Sequence, residues 1–81
     1  MVKVRNWEKK IDDPYYIKYY NEKAEKILLI EKIERDSTGR VNFWQVSVGG
    51  SVSRVSIKSY IRTKKQAQRI ALSWMKQHPN G

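Results

Sequence analysis

Hydrophobic and polar residues alternate along the middle of the chain in a way that predicts β-strands. β-branched and aromatic residues are concentrated in segments that turn residues separate, and both residue types favour strands. Two short segments that contain glycine, residues 36–39 and 49–51, predict hairpin connections, because glycine accepts the positive φ angles of tight turns. The predicted strands are residues 15–20, 26–35, 41–48 and 52–62, and the last three form an antiparallel meander.

After the strands, the spacing of apolar residues changes to that of a helix. Thr63 can cap the N-terminus of this helix, and Pro79 ends it. The residues that recur at helical intervals and form one apolar stripe are Ala67, Ile70, Ala71, Trp74 and Met75. The sequence therefore predicts an α+β fold in one domain, residues 1–81, in which a three- to four-stranded antiparallel sheet packs on one C-terminal helix at 63–78.

The first quarter of the chain fits two interpretations. Residues 14–25 also suit a helix, since Asp13 and Pro14 make a good cap and first turn, and apolar residues follow at helical spacing. The four tyrosines among residues 15–20 favour a strand instead. Trp7 lies outside any periodic segment, and we expect it to close one end of the core.

Alternation also predicts which side chains the sheet exposes. Trp44, Val46 and Val48 lie on one side of their strand, and we expect that side to meet the helix. A sheet with a single helix leaves its other face open to water. The residues expected on this open face, with no acidic residue among them, are Phe43, Gln45, Ser47, Arg54, Ser56, Lys58, Tyr60 and Arg62.

Composition excludes several classes of protein. The 81 residues include no cysteine and one histidine, which excludes disulfides, thiolate zinc sites and multi-histidine metal sites. The sequence also lacks a nucleophile elbow, a P-loop and a dinucleotide fingerprint, so we expect no enzyme, cofactor, metal or small-molecule substrate. No segment is apolar enough for a signal peptide or a membrane span, which predicts a cytoplasmic protein.

Charge is distributed unevenly along the chain. The net charge is +9, and all eight acidic residues precede Ser37, whereas eight basic residues follow it. A basic region without acids repels itself, which favours a polyanionic partner over an internal one. The alternative is a solvated surface that only keeps the protein soluble.

These features together indicate a nucleic-acid-binding surface. Phosphates need cations and hydrogen-bond donors, and bases need planar groups, which the predicted open face provides. Lysines in the first turn of a helix oppose its dipole, and a bound phosphate would reverse that cost. The alternative for Phe43 and Tyr60 is a cross-strand pair without a ligand. The candidate binding residues are Phe43, Gln45, Arg54, Ser56, Lys58, Tyr60, Arg62, Lys64 and Lys65.

Residues 40–77 resemble two families of small basic domains. The strand Phe43-Trp44-Gln45-Val46 and the helix opening Thr63-Lys64-Lys65-Gln66-Ala67 are similar to the arm-site-binding domains of phage integrases and to plant AP2-type domains. In those domains a three-stranded sheet enters the DNA major groove. The resemblance implies DNA contacts by Arg54, Ser56, Lys58, Tyr60 and Arg62.

The helix opening also resembles that of the double-stranded RNA-binding domain. This second resemblance implies that Lys64 and Lys65 contact phosphates across a groove of duplex RNA. We therefore expect a nucleic-acid partner, with DNA preferred and RNA as the alternative. A protein-interaction module that binds an acidic partner through its basic face is a further alternative.

Overall fold

The computed structural model describes residues 6–35, 37–50 and 53–80, which form one antiparallel sheet and one helix. The five strands lie in sequence order across the sheet. The elements are β1 (Glu8–Asp13), β2 (Tyr16–Asn21), β3 (Lys26–Arg35), β4 (Val41–Gly49), β5 (Arg54–Ile61) and α1 (Lys64–Gln77). The α+β class with a C-terminal helix is confirmed, but the sheet has five strands instead of the predicted three to four.

The additional strand, β1, is the one that the hydrophobic pattern missed. Its sequence is EKKIDD, so a single apolar residue is available to mark an alternation. Charged side chains suit an edge strand, since they discourage pairing with other chains. Pro14 and Tyr15 form the turn into β2, and residues 16–21 are a strand, which excludes the alternative helix over 14–25. Asp36, Ser51 and Val52, which belong to predicted turns and the start of a predicted strand, lie outside the described residues.

α1 packs on one face of the sheet and contacts β3, β4 and β5. Thr63 caps the helix as predicted, because the Gln66 backbone N–H donates a 3.1 Å hydrogen bond to Thr63 Oγ1. Among the described residues, no helix has the length and hydropathy to cross a membrane. The core between helix and sheet consists of Trp7, Ile17, Tyr19, Leu28, Ile30, Trp44, Val46, Ile61, Ala67, Ala71 and Met75.

Trp7 closes one end of this core, as the sequence predicted. Its side chain is fully buried and meets Trp74 edge to face, with ring centroids 6.0 Å apart. Trp7 Nε1 donates a 3.0 Å hydrogen bond to the carbonyl of His78, and Asn21 Nδ2 donates another to the carbonyl of Pro79. The segment after α1 is thereby attached to the start of the sheet.

Candidate nucleic-acid interface

The pairing register determines which side chains lie on the sheet face opposite α1. Ile17 pairs with Ile30, Ile30 pairs with Val46, and all three are buried in the core under α1. Neighbouring residues of a strand point to opposite faces, so the residues that alternate with these three along their strands form the open face. No element in the described ranges packs on that face. Its central residues are Tyr16, Lys18 and Tyr20 of β2, Leu29, Glu31 and Ile33 of β3, Phe43, Gln45 and Ser47 of β4, and Arg54 and Ser56 of β5.

The open face is more apolar and less basic than the sequence predicted. Leu29 and Phe43 are almost completely buried there by their neighbours. Glu31 joins the face because it pairs with Gln45, and its Oε1 lies 3.9 Å from Nη1 of Arg54. The expectation that Arg54 has no acidic neighbour is therefore wrong. An exposed pair of this length contributes at most about 1 kcal/mol, but it neutralises the open face locally.

Lys58 does not lie where strict alternation placed it. Two irregularities interrupt the pairing of β4 with β5, so that Val46 pairs with Lys58 and Ser47 with Ser56. A bulge of this kind adds a residue to one strand and changes the face on which later side chains emerge. Lys58 consequently lies beside Gln66 and Arg69 of α1, at the edge of the sheet, and its assignment to the open face is wrong.

Lys64 contacts the protein's own turn between β1 and β2. Its Nζ donates a 3.2 Å hydrogen bond to the carbonyl of Asp13 and lies 4.0 Å from Oδ1 of Asp12. Asp12 also accepts a 3.1 Å hydrogen bond from Lys9, which raises the pKa of Lys9 above its ordinary value. The negative charge that a lysine in the first helical turn requires therefore comes from β1. The expectation that Lys64 has no acidic partner is therefore wrong.

Four other cations lie along the β5 edge and the adjoining turns of α1. Lys58, Arg62 and Arg69 line a hollow between β5 and α1, and Lys65 lies one helical turn before Arg69. Within the described part of the chain, none of the four has a carboxylate within 4.0 Å. Gln66 adds an amide to the same hollow. We call these five residues the basic edge surface.

An aromatic cluster adjoins the basic edge surface. The rings of Phe43 and Tyr60 are 4.7 Å apart and tilted by 55°, and the guanidinium carbon of Arg40 lies 4.4 Å from the Tyr60 ring centre. Tyr60 is 45% exposed and has a φ of 58°, a conformation that bulky residues rarely adopt. The predicted cross-strand pair of Phe43 and Tyr60 is therefore present, and a cation extends it.

The structure distributes the predicted site residues over three places. Phe43, Gln45, Arg54 and Ser56 lie on the open face, where the Ser56 hydroxyl is 2.9 Å from that of Ser59. Lys58, Tyr60 and Arg62 line the hollow at the β5 edge, Lys65 lies one helical turn before Arg69 of that hollow, and Lys64 lies against the end of β1. Sequence reasoning missed Arg40, Gln66 and Arg69. The spacing of four between Lys65 and Arg69 could have identified the last of these, because residues so spaced are neighbours on a helix.

Comparison with known proteins gives no match: no family model matches the chain, and neither does any curated protein or solved structure. In the described ranges, no three acidic or histidine side chains are grouped closely enough to hold a metal ion. The function of the surface must accordingly be inferred from its own chemistry.

Proposed function

We propose that this chain is a non-enzymatic nucleic-acid-binding protein whose basic edge surface contacts the phosphate backbone. The observation that carries the proposal is the group of four cations at this edge that lack a carboxylate within 4.0 Å in the described part of the chain. Cations without internal partners repel one another, and a polyanion relieves that repulsion by replacing condensed counterions. Gln66 supplies the amide donor that such contacts commonly add.

The contact that we propose is centred on the β5 edge instead of the open face. The open face was the predicted surface, but its Arg54 is paired with Glu31 and its Phe43 ring is nearly buried. The β5 edge keeps its cations exposed and separated from acids, so it is the stronger electrostatic site. Gln45, Arg54 and Ser56 lie on the adjoining face and extend the contact if the polymer crosses β5.

The ligand we propose is duplex DNA, in keeping with the sequence resemblance. Phosphate contacts of this kind fix the protein on the duplex and carry no base preference by themselves. Duplex RNA is disfavoured, because that alternative requires Lys64 to contact phosphate and Lys64 is held by Asp12 and the Asp13 carbonyl. The absence of catalysis is part of the proposal: the single histidine, His78, is stacked on Trp74 at the opposite end of α1 from the basic edge surface.

The test is the salt dependence of binding to a fluorescent DNA duplex, measured by anisotropy. Four phosphate contacts predict that log K falls with log salt at a slope of about −3.6, so that doubling the salt weakens binding about twelvefold. The double variant Lys58→Gln/Lys65→Gln should bind more weakly and reduce the magnitude of this slope by about two.

A matched control is available in the same chain. Lys10→Gln/Lys23→Gln removes the same charge from β1 and from the turn before β3, and we expect its slope to equal that of the unmodified protein. Equal losses in the two double variants would show that net charge alone causes binding, and a flat salt response would refute nucleic-acid binding. Competition with duplex RNA and with a polyglutamate peptide identifies the preferred polyanion.

A further inference from the structure

The aromatic cluster next to the basic edge surface is a row of three planar side chains that adjoin one another in space. Phe43 lies 4.7 Å from Tyr60, and the guanidinium of Arg40 lies over the Tyr60 ring at 4.4 Å. Phe43 is buried, whereas Tyr60 and Arg40 are exposed, so the row of planar groups runs from a buried ring to the protein surface. Aromatic rings and guanidinium planes are the two surfaces on which proteins stack nucleobases.

Tyr60 is held in place by an unusual backbone. Its φ of 58° falls in the left-handed region, which costs a residue with a Cβ about 1 kcal/mol or more. Tyr60 lies in the stretch where the pairing of β5 with β4 is irregular, and its ring lies beside that of Phe43, on the side of the sheet away from the core. A strained position occupied by a large, half-exposed ring is typical of a binding site.

Two hollows meet at Tyr60. The hollow between β5 and α1 contains Lys58, Gln66 and Arg69. The other hollow lies by the turn between β3 and β4 and contains Arg40, Asn42 and Phe43. Tyr60, Ile61 and Arg62 line both. One hollow therefore offers cations without acidic partners, and its neighbour offers planar groups and an amide.

We propose that Arg40, Phe43 and Tyr60 form a stacking site for a nucleobase that is not paired with another base, a role that rests on the nucleic-acid binding proposed above. A nucleotide has an anionic phosphate and a planar base, and the two hollows match those two parts. A base inside a duplex already stacks on both neighbours, so only an unpaired base can join this cluster. The protein should therefore prefer DNA in which unpaired nucleotides follow the phosphates bound by the basic edge surface.

The experiment compares three DNA ligands that share one duplex. The first is blunt, the second carries a short overhang of thymidines, and the third carries an overhang of the same length made of abasic nucleotides. The abasic overhang keeps the phosphates and removes the bases. Stacking predicts that the thymidine overhang binds roughly five- to a hundredfold more tightly than the abasic one. Equal affinity for the two overhangs would overturn the stacking site.

Variants assign the effect to Tyr60. Tyr60→Ala should abolish the preference for thymidine over abasic overhang, and Tyr60→Trp should keep it, because a larger ring preserves the stack. Tyr15→Ala is the matched control: Tyr15 is also exposed and has its own cation, Lys32, at 5.1 Å, but it lies in the turn between β1 and β2. A preference that survives in Tyr60→Ala, with the fold verified by circular dichroism, would refute the assignment.

The same titrations separate the two proposals. If the blunt duplex binds with the expected salt slope and the thymidine overhang adds nothing over the abasic one, only the stacking site is wrong. If none of the ligands binds, the proposed function is wrong and the stacking site falls with it. If binding requires the thymidine overhang, the stacking site is supported and the preference for a complete duplex is wrong.

Discussion

The two edges of the sheet differ in whether their cations have acidic partners. At the β1 edge, Lys9 and Lys64 both contact Asp12, and Lys10 lies 3.4 Å from Glu8. At the β5 edge, four cations have no carboxylate within 4.0 Å among the described residues. The difference arises from the sequence, whose acidic residues all precede Ser37. One edge satisfies its charges internally, and the other leaves them available to a partner.

The first prediction tests whether the β1 side is the structural part of the molecule. Trp7→Ala should lower the free energy of unfolding by about 3–5 kcal/mol, since it removes a fully buried ring and its bond to His78. Tyr60→Ala at the β5 edge should cost about 1 kcal/mol or less. Urea unfolding followed by circular dichroism measures both. Trp7→Phe keeps most of the buried area and should fall between them, so similar midpoints for all three variants would contradict the comparison.

The second prediction converts the β5 edge to the chemistry of the β1 edge. Lys65→Glu places an acid in the first turn of α1, where it interacts favourably with the helix dipole. The same acid lies four residues before Arg69, so that the two can form a favourable ion pair on the helix. We expect the free energy of unfolding to rise by about 1 kcal/mol. DNA affinity should fall about tenfold at roughly 0.1 M salt, because one phosphate contact is lost. Thermal unfolding measures the gain in stability, and anisotropy measures the loss of DNA affinity. A variant that is less stable than the unmodified protein and binds DNA equally tightly would refute the prediction.

The third and smallest effect concerns Asp12. Asp12→Asn removes the partner of both Lys9 and Lys64, which are exposed contacts, so the loss in unfolding free energy should be about 1 kcal/mol or less. Because Asp12 raises the pKa of Lys9, its contribution is complete below the ordinary lysine value of 10.5 and is lost as the pH rises above it. The difference in stability between the two proteins should therefore shrink in that alkaline range. A difference that grows with pH would contradict the assignment.

Local patterns were sufficient to predict most of the fold. β3 occupies the predicted residues, β4 differs by one residue, and Thr63 caps α1, because alternation and capping act over a few neighbouring positions. β1 escaped prediction since an edge strand needs no apolar face of its own. Its acidic residues then reached Lys64 across the fold, a contact between residues far apart in sequence.

The candidate site was predicted less well, and the reason lies in β5. Strict alternation placed Lys58 on the open face, but the irregular pairing around Val46 moved it towards α1. Nothing in the residues of β5 marks where the extra residues enter. The sequence did not predict Arg69 and Arg40 as site residues for a related reason: only tertiary packing brings their helix and turn to the same edge of the sheet.

The bond from Trp7 to His78 has a consequence for the order of folding. It joins residues 71 positions apart, whereas each strand pairs with the next one along the chain. Loops of such length close more slowly than hairpins form. The indole should therefore enter its site only after the meander and the helix have assembled, so that its burial marks the final step of refolding rather than early collapse.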